Sequence, residues 1–145
     1  MSIRLSSETV HASSVAIDGR AVLITGPSGS GKSDLALRLL DRGFTLVSDD
    51  QTIVKKVGAH LIASAPTTIR GKLEVRGVGI VEIDHVDELP VALMVELTSE
   101  IERLPDASRE RPLLGVGVPL VSVNAMTASA ASKVELALDR LGLRF

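Results

Sequence analysis

The sequence has no cysteine, tryptophan or tyrosine, and Phe44 and Phe145 are its only phenylalanines. Without thiols there can be no disulfide, no thiolate zinc site and no cysteine nucleophile. Such a chain suits a reducing compartment, and a cytoplasmic location is the expectation. Aromatic platforms of the kind that single-stranded nucleic acid stacks on are missing. The charge is nearly balanced, with 16 basic and 18 acidic residues giving a formal −2, so no electrostatic pull toward polyanions replaces them. No apolar run approaches the roughly 18–20 residues of a membrane span, and Met1-Ser2-Ile3-Arg4 lacks the basic-then-apolar layout of a secretory leader. Neither nucleic acid nor a membrane is therefore expected as a partner.

What remains is a 145-residue chain that is 45% hydrophobic and 23% charged, the make-up of one globular domain able to bury a core. A mean hydropathy of +0.30 fits either a well-filled core or apolar surface covered in a homo-oligomer. No repeat or linker divides residues 1–145, which are read as a single domain. Val10–Ile17 is rich in β-formers, Asp18-Gly19 is a turn dipeptide and Ala21–Thr25 is an apolar strand, together predicting a hairpin. A glycine-rich loop, Gly26–Gly31, leads into a helix from about Lys32 to Arg42, where Leu35, Ala36, Leu39 and Leu40 form the apolar stripe and Gly43 is the stop. Strands follow at Thr45–Val47, Thr52–Val57, His60–Ala63, Gly79–Ile83 and Val91–Leu97. Glu96–Arg111 is polar and charged and reads as a loop, Leu113–Val123 as β, and Ala128–Leu141 as a closing amphipathic helix. The pattern predicts an α/β domain of P-loop kinase-like type with a mixed, largely antiparallel sheet and few helices.

Gly26-Pro27-Ser28-Gly29-Ser30-Gly31-Lys32-Ser33 satisfies G-x-x-x-x-G-K-[ST]. Its glycines let the backbone turn tightly and aim N–H groups at phosphate oxygens. The helix opening at Lys32 adds its positive dipole end. Lys32 is the residue to reach the β- and γ-phosphates of a nucleotide and Ser33 the one to ligate Mg²⁺. An apolar strand before the motif and a helix after it are what the mechanism demands. Phosphoryl transfer also needs a second metal contact and a group to handle the nucleophile's proton. Asp49-Asp50 closes the next strand, where both carboxylates can turn toward a ligand, one as base and one beside the metal. The alternative is an ordinary solvated Asx-turn. His11, a lone histidine in a strand, carries little information by itself, and His60 and His85 read as surface residues.

These features together resemble the catalytic domain of the HPr kinase/phosphorylase family, in a short form with the catalytic C-terminal domain alone. GPSGSGKS is followed by a helix and by Leu46-Val47-Ser48-Asp49-Asp50. The segment Leu73-Glu74-Val75-Arg76-Gly77-Val78-Gly79-Ile80-Val81 is similar to the family's own signature. In that family ATP phosphorylates a serine of the small phosphocarrier HPr, and inorganic phosphate removes the group as pyrophosphate. The resemblance implies Asp49 as the base, assisted by His11, with Lys32 on the phosphates. It implies Ser33, Asp50 and Glu74 at the metal and Arg103, in Glu102-Arg103-Leu104-Pro105, as a charge-stabilising arginine. The family's basic stretch before the last helix is replaced by Met126–Lys133. From the residues alone, a small-metabolite P-loop kinase and a nucleotide-sensing module that transfers nothing also remain open. An assay with and without HPr separates the first, and Lys32, Ser33 and both aspartates argue against the second. The absence of an Asn-Lys-x-Asp guanine motif argues against a GTPase.

Overall fold

The computed structural model describes residues 6–103 and 109–145. Met1–Arg4, read above for a leader, and positions 104–108, including Leu104 and Pro105, lie outside the described residues. The strands are β1 (Ser7–Val10), β2 (Ala12–Ile17), β3 (Arg20–Thr25), β4 (Thr45–Ser48), β5 (Thr52–Val57), β6 (His60–Ser64), β7 (Lys72–Val75), β8 (Gly79–Glu82), β9 (Leu89–Leu97), β10 (Arg109–Leu113) and β11 (Val116–Val123). The helices are α1 (Lys32–Leu40) and α2 (Ala130–Leu141). This is an α/β architecture with a mixed sheet, as expected. β3 runs parallel to β9, and β9 parallel to β11, while β1–β5, β5–β6, β6–β9, β2–β3, β2–β4 and β10–β11 are antiparallel.

β9 is the spine. One edge pairs with β3 from Ala21↔Val91 to Thr25↔Glu96. The other edge is shared between β6, which meets Leu89 and Pro90, and β11, which meets Met94–Leu97. Strands so enclosed are apolar on both faces. Val22 and Ile24 of β3 point to α1 and α2, joining Leu35, Leu39, Val134 and Leu138, while Leu23 points to the opposite face with Val54, Leu61 and Met94. That alternation is the period of a strand. It leaves the C-terminal ends of β3, β9 and β11 on one rim, which is where open α/β sheets bind ligands.

Several expected boundaries change. Val10–Ile17 is two strands broken by a bend at His11, because β1 leaves to pair with β5 whereas β2 stays with β3 and β4. The first helix stops at Leu40 rather than Arg42, and Gly43 takes φ 93° just beyond it. Glu96 is still in β9 and Arg109–Arg111 open β10, so the expected Glu96–Arg111 loop is shorter. The charges there are paired across strands, Arg109 and Arg111 each reaching Glu96 Oε2, at 3.2 and 3.4 Å. Leu113–Val123 is the second half of a hairpin turning at Leu114-Gly115, and α2 begins at Ala130. Among the described residues no helix is long and apolar enough to cross a membrane.

Candidate functional site

The buried polar and charged side chains among the described residues are Ser13, Ser14, Lys32, Ser48, Asp49 and Thr52. Such groups are seldom buried without a reason. Ser13, Lys32 and Asp49 gather where β3, β2 and β4 meet the start of α1, while Ser14 and Thr52 bond each other on the other face of β2. The glycine-rich loop leaves β3 at Gly26 and enters α1 at Gly31, whose φ of 101° makes a left-handed helix entry with no side-chain cap. A Cβ at Gly31 would lie 3.2 Å from the Cβ of Ala125, and one at Gly26 only 2.6 Å from Ser30 Oγ. Glycine is required at both places by conformation and by space. The Ser30 hydroxyl is buried with no hydrogen-bond partner among the described residues, and an inward-facing group of that kind calls for an acceptor or donor from a ligand.

Lys32 is 6% exposed. Its ammonium donates to the carbonyls of Gly26 and Pro27, at 2.8 and 3.0 Å. The charge is thus held over the loop by weak neutral acceptors, where an anion entering the loop would meet it. Ser33, one residue on, donates its hydroxyl proton to Asp49 Oδ1 at 2.6 Å. Its oxygen lone pairs stay free, the state a metal ligand needs.

Asp49 and Asp50 follow the last residue of β4. A bulge between Ser14 and Val15 shifts the β2–β4 register just before this corner, and bulges of this sort re-aim side chains. The two aspartates then diverge. Asp49, 7% exposed, accepts from Ser33 and from Ser13 Oγ (2.8 Å) on Oδ1, and from the Glu74 backbone N–H (3.0 Å) on Oδ2. Asp50 takes a left-handed φ of 66°, and its carboxylate faces out to His11, Nε2 to Oδ1 2.7 Å. That pair is open to solvent, the side chains being 49% and 61% exposed. An ionised carboxylate can only accept, so His11 donates through Nε2.

The remaining expected residues stand at varying distance from this centre. Leu73 is fully buried in β7. Glu74 reaches the site through its backbone N–H, while its side chain is exposed. Arg76, Gly77 and Val78 form the exposed turn between β7 and β8 and Gly79 opens β8, so Glu74 and Arg76 do not share one strand face. Arg103 is exposed in a bend after β9, the strand whose last residue, Leu97, lies 3.1 Å from the position of a Cβ added at Gly26. His60 and His85 are exposed as expected. Ser13 went unnoticed in the sequence, since a serine in a strand carries no motif.

The donor set suits a magnesium that arrives with its nucleotide. Among the described residues no group of three or more His, Asp or Glu could hold a metal alone. Mg²⁺ needs only one or two protein ligands when phosphates supply the rest. The Ser33 hydroxyl backed by Asp49 is such a partial set, close to the loop.

A glycine loop between strand and helix, a lysine over its mouth and a serine–carboxylate pair behind it are the parts that a phosphate-binding α/β domain would need. The chain belongs to the family of the HPr serine kinase C-terminal domain, whose model matches residues 4–143. It is 39% identical over 127 residues to the HPr kinase/phosphorylase of Chlorobaculum tepidum, covering 78% of this chain and 37% of that protein. It is 44% identical over 133 residues to the HPr kinase/phosphorylase of Clostridium beijerinckii, covering 83% and 44%. The chain thus spans less than half the length of these relatives. The solved structure of the Hpr(Ser) kinase/phosphatase from Coxiella burnetii superposes with a TM-score of 0.81 at 31% identity, covering 91% of this chain and 88% of that one.

Proposed function

We propose that this chain is a P-loop kinase-type domain that phosphorylates a serine of an HPr-type phosphocarrier from ATP with Mg²⁺, and that inorganic phosphate reverses the reaction. The observation that carries the reading is the split of the aspartate pair, one carboxylate buried against Ser33 and the other facing solvent beside His11. The relatives' names supply the acceptor, HPr.

The geometry favours exchanging the roles expected of the two aspartates. The oxygens of Asp49 already accept from two hydroxyls and a backbone N–H, which suits holding Ser33 at the metal. Asp50 is accessible to a protein serine, and His11 can fix its orientation and share its charge. In the forward direction the Asp50 carboxylate takes the serine hydroxyl proton as the oxygen attacks the γ-phosphorus. The bond from that phosphorus to the β-bridging oxygen breaks, and ADP leaves. In reverse a phosphate oxygen attacks the phosphoserine phosphorus, pyrophosphate forms, and protonated Asp50 returns its proton to the serine. Bound Mg²⁺ would supply neutralising charge on the phosphates. Lys32 moves from the Gly26 and Pro27 carbonyls to phosphate oxygens, and the Ser30 hydroxyl gains a partner. Glu74 and Arg103 are further contributors at the metal and at the transferred charge, and the exposed turn of the signature segment lines the approach.

The test incubates purified protein with HPr and γ-labelled ATP, then adds phosphate. Label should pass to HPr serine and then leave as pyrophosphate. No label on HPr, with ATP bound, would overturn the reading.

A further inference from the structure

We infer that Ser13 is a positioning residue that locks Asp49 and Asp50 into one unit, so that the metal side and the proton side of the site are set together. The inference rests on the kinase reading above. Ser13 lies on β2 and is fully buried. The backbone N–H of Asp50 can only donate, and it donates to Ser13 Oγ at 3.1 Å. The serine oxygen is therefore an acceptor there, and its single proton goes to Asp49 Oδ1, at 2.8 Å. One hydroxyl thus joins the side chain of one aspartate to the backbone of the next, with the direction of both bonds dictated by chemistry.

Each bond does something distinct. On the metal side, Asp49 Oδ1 accepts from both Ser13 and Ser33. A carboxylate held at a fixed point orients the Ser33 proton and so the lone pairs left for a cation, the part that a ligand's supporting partner plays. On the proton side, Asp50 occupies a left-handed conformation that costs any non-glycine residue energy, less for aspartate than for most, and that surrounding hydrogen bonds hold in place. The bond to Ser13 is one restraint. The Gln51 N–H donating to the Asp49 carbonyl at 2.7 Å and Ser48 Oγ donating to the Gln51 carbonyl are the others. The conformation aims the Asp50 side chain at His11. Releasing the Ser13 bond frees the corner to relax toward ordinary φ values and carries the carboxylate off the histidine.

Strand alternation supplies an internal control. Ser14, the next residue, is equally buried, but its hydroxyl lies on the opposite face of β2 and bonds Thr52 Oγ1 at 2.9 Å. Loss of that hydroxyl strips a buried hydrogen bond without touching either aspartate.

The experiment compares Ser13→Ala and Ser14→Ala with the wild-type chain by Mn²⁺ binding to the ADP-loaded protein (electron paramagnetic resonance), by metal-free ADP titration, by single-turnover transfer to HPr, and by thermal melting. Ser13→Ala should weaken Mn²⁺ binding and slow transfer by about tenfold each, in the range seen when a ligand's supporting partner is removed, with metal-free ADP affinity unchanged. Ser14→Ala should melt at least as low yet keep Mn²⁺ affinity and transfer close to wild type. Ser13→Cys, near in size but a weak donor, guards against misfolding and should weaken Mn²⁺ binding in the same direction. Wild-type Mn²⁺ affinity in folded Ser13→Ala, or equal losses in Ser14→Ala, would overturn the assignment. If the wild-type chain transfers nothing to HPr, the kinase reading falls, and the Mn²⁺ comparison alone decides the role of Ser13.

Discussion

Replacing Lys32 by alanine perturbs binding and stability by amounts that differ in a usable way. A lysine that meets only phosphate would contribute almost nothing to the fold. The 6% exposure of Lys32 and its hydrogen bonds to the Gly26 and Pro27 carbonyls change that. A hydrogen bond to a charged group contributes about 1.5–3 kcal/mol, so the two together set an upper figure of about 3–6 kcal/mol. Gly26 is half-buried and Pro27 exposed, so water can satisfy their carbonyls once the ammonium is gone. Removing a buried cation also recovers part of its desolvation cost. A loss of about 1 kcal/mol results, a fall in melting temperature of about 3–4 °C for a chain of this size. Transfer should suffer far more, because a charged clamp on transferring phosphate is typically worth about 10²–10³ in rate. Wild-type protein at ATP a hundredfold above Kd should gain about 2.7 kcal/mol of stability, and the variant should gain little. Calorimetry with and without Mg·ATP reads the first pair of numbers and single-turnover transfer to HPr the second. A folded Lys32→Ala protein with the full ATP-induced shift and wild-type transfer would refute the loop's role.

Gly31→Ala forces a side chain into a φ of 101° and against Ala125. It should cost about 1–2 kcal/mol of stability and at least about tenfold in ATP affinity, and equilibrium unfolding beside ATP titration checks both. Arg103→Ala should slow transfer by at least about tenfold, equal to about 1.4 kcal/mol of barrier, with ATP affinity nearly unchanged. Lys72→Ala, on the exposed side of β7, is the control, and equal transfer by the two variants would return Arg103 to the solvated surface. Asp49→Asn sets an amide that must face either the hydroxyl donors or the Glu74 N–H with the wrong polarity. It should lose about 1–3 kcal/mol of stability together with Mg²⁺ binding, read by chemical denaturation and metal titration.

The parts of the site that are contiguous in the chain were legible in the sequence. Gly26–Ser33 announces itself because one short segment must supply the turn, the N–H groups, the cation and the hydroxyl at fixed offsets. The aspartate pair was legible as a pair, yet their division was not. It depends on the β2–β4 register, a bulge and the left-handed Asp50, none of which leaves a local mark. Ser13 was invisible for the same reason, since its partners come from the corner after β4, far along the chain. In the fold, composition disclosed β2 but hid the bend at His11, because both flanking segments favour strands and only their partners differ. Glu96, Arg109 and Arg111 read as loop because charge usually marks solvent, whereas here the arginines of β10 reach across β11 to Glu96 of β9. Of the β7–β8 hairpin the sequence disclosed the second strand, expected at Gly79–Ile83, but not the first, and Gly77 at φ 84° makes the turn between them.

The central claim is that the buried aspartate serves the metal and the exposed one the proton. The measurement that tests it most directly is transfer by Asp50→Asn in both directions, phosphorylation of HPr and phosphate-driven release of pyrophosphate, with Mn²⁺·ADP affinity determined on the same protein. Asp50 is exposed, so the substitution should change stability by no more than about 0.5 kcal/mol. Both directions should fall by at least about a hundredfold, the general-base range, while Mn²⁺·ADP binds as in the wild-type chain. Normal transfer in either direction, or loss of metal binding with the proton-transfer step intact, would contradict it.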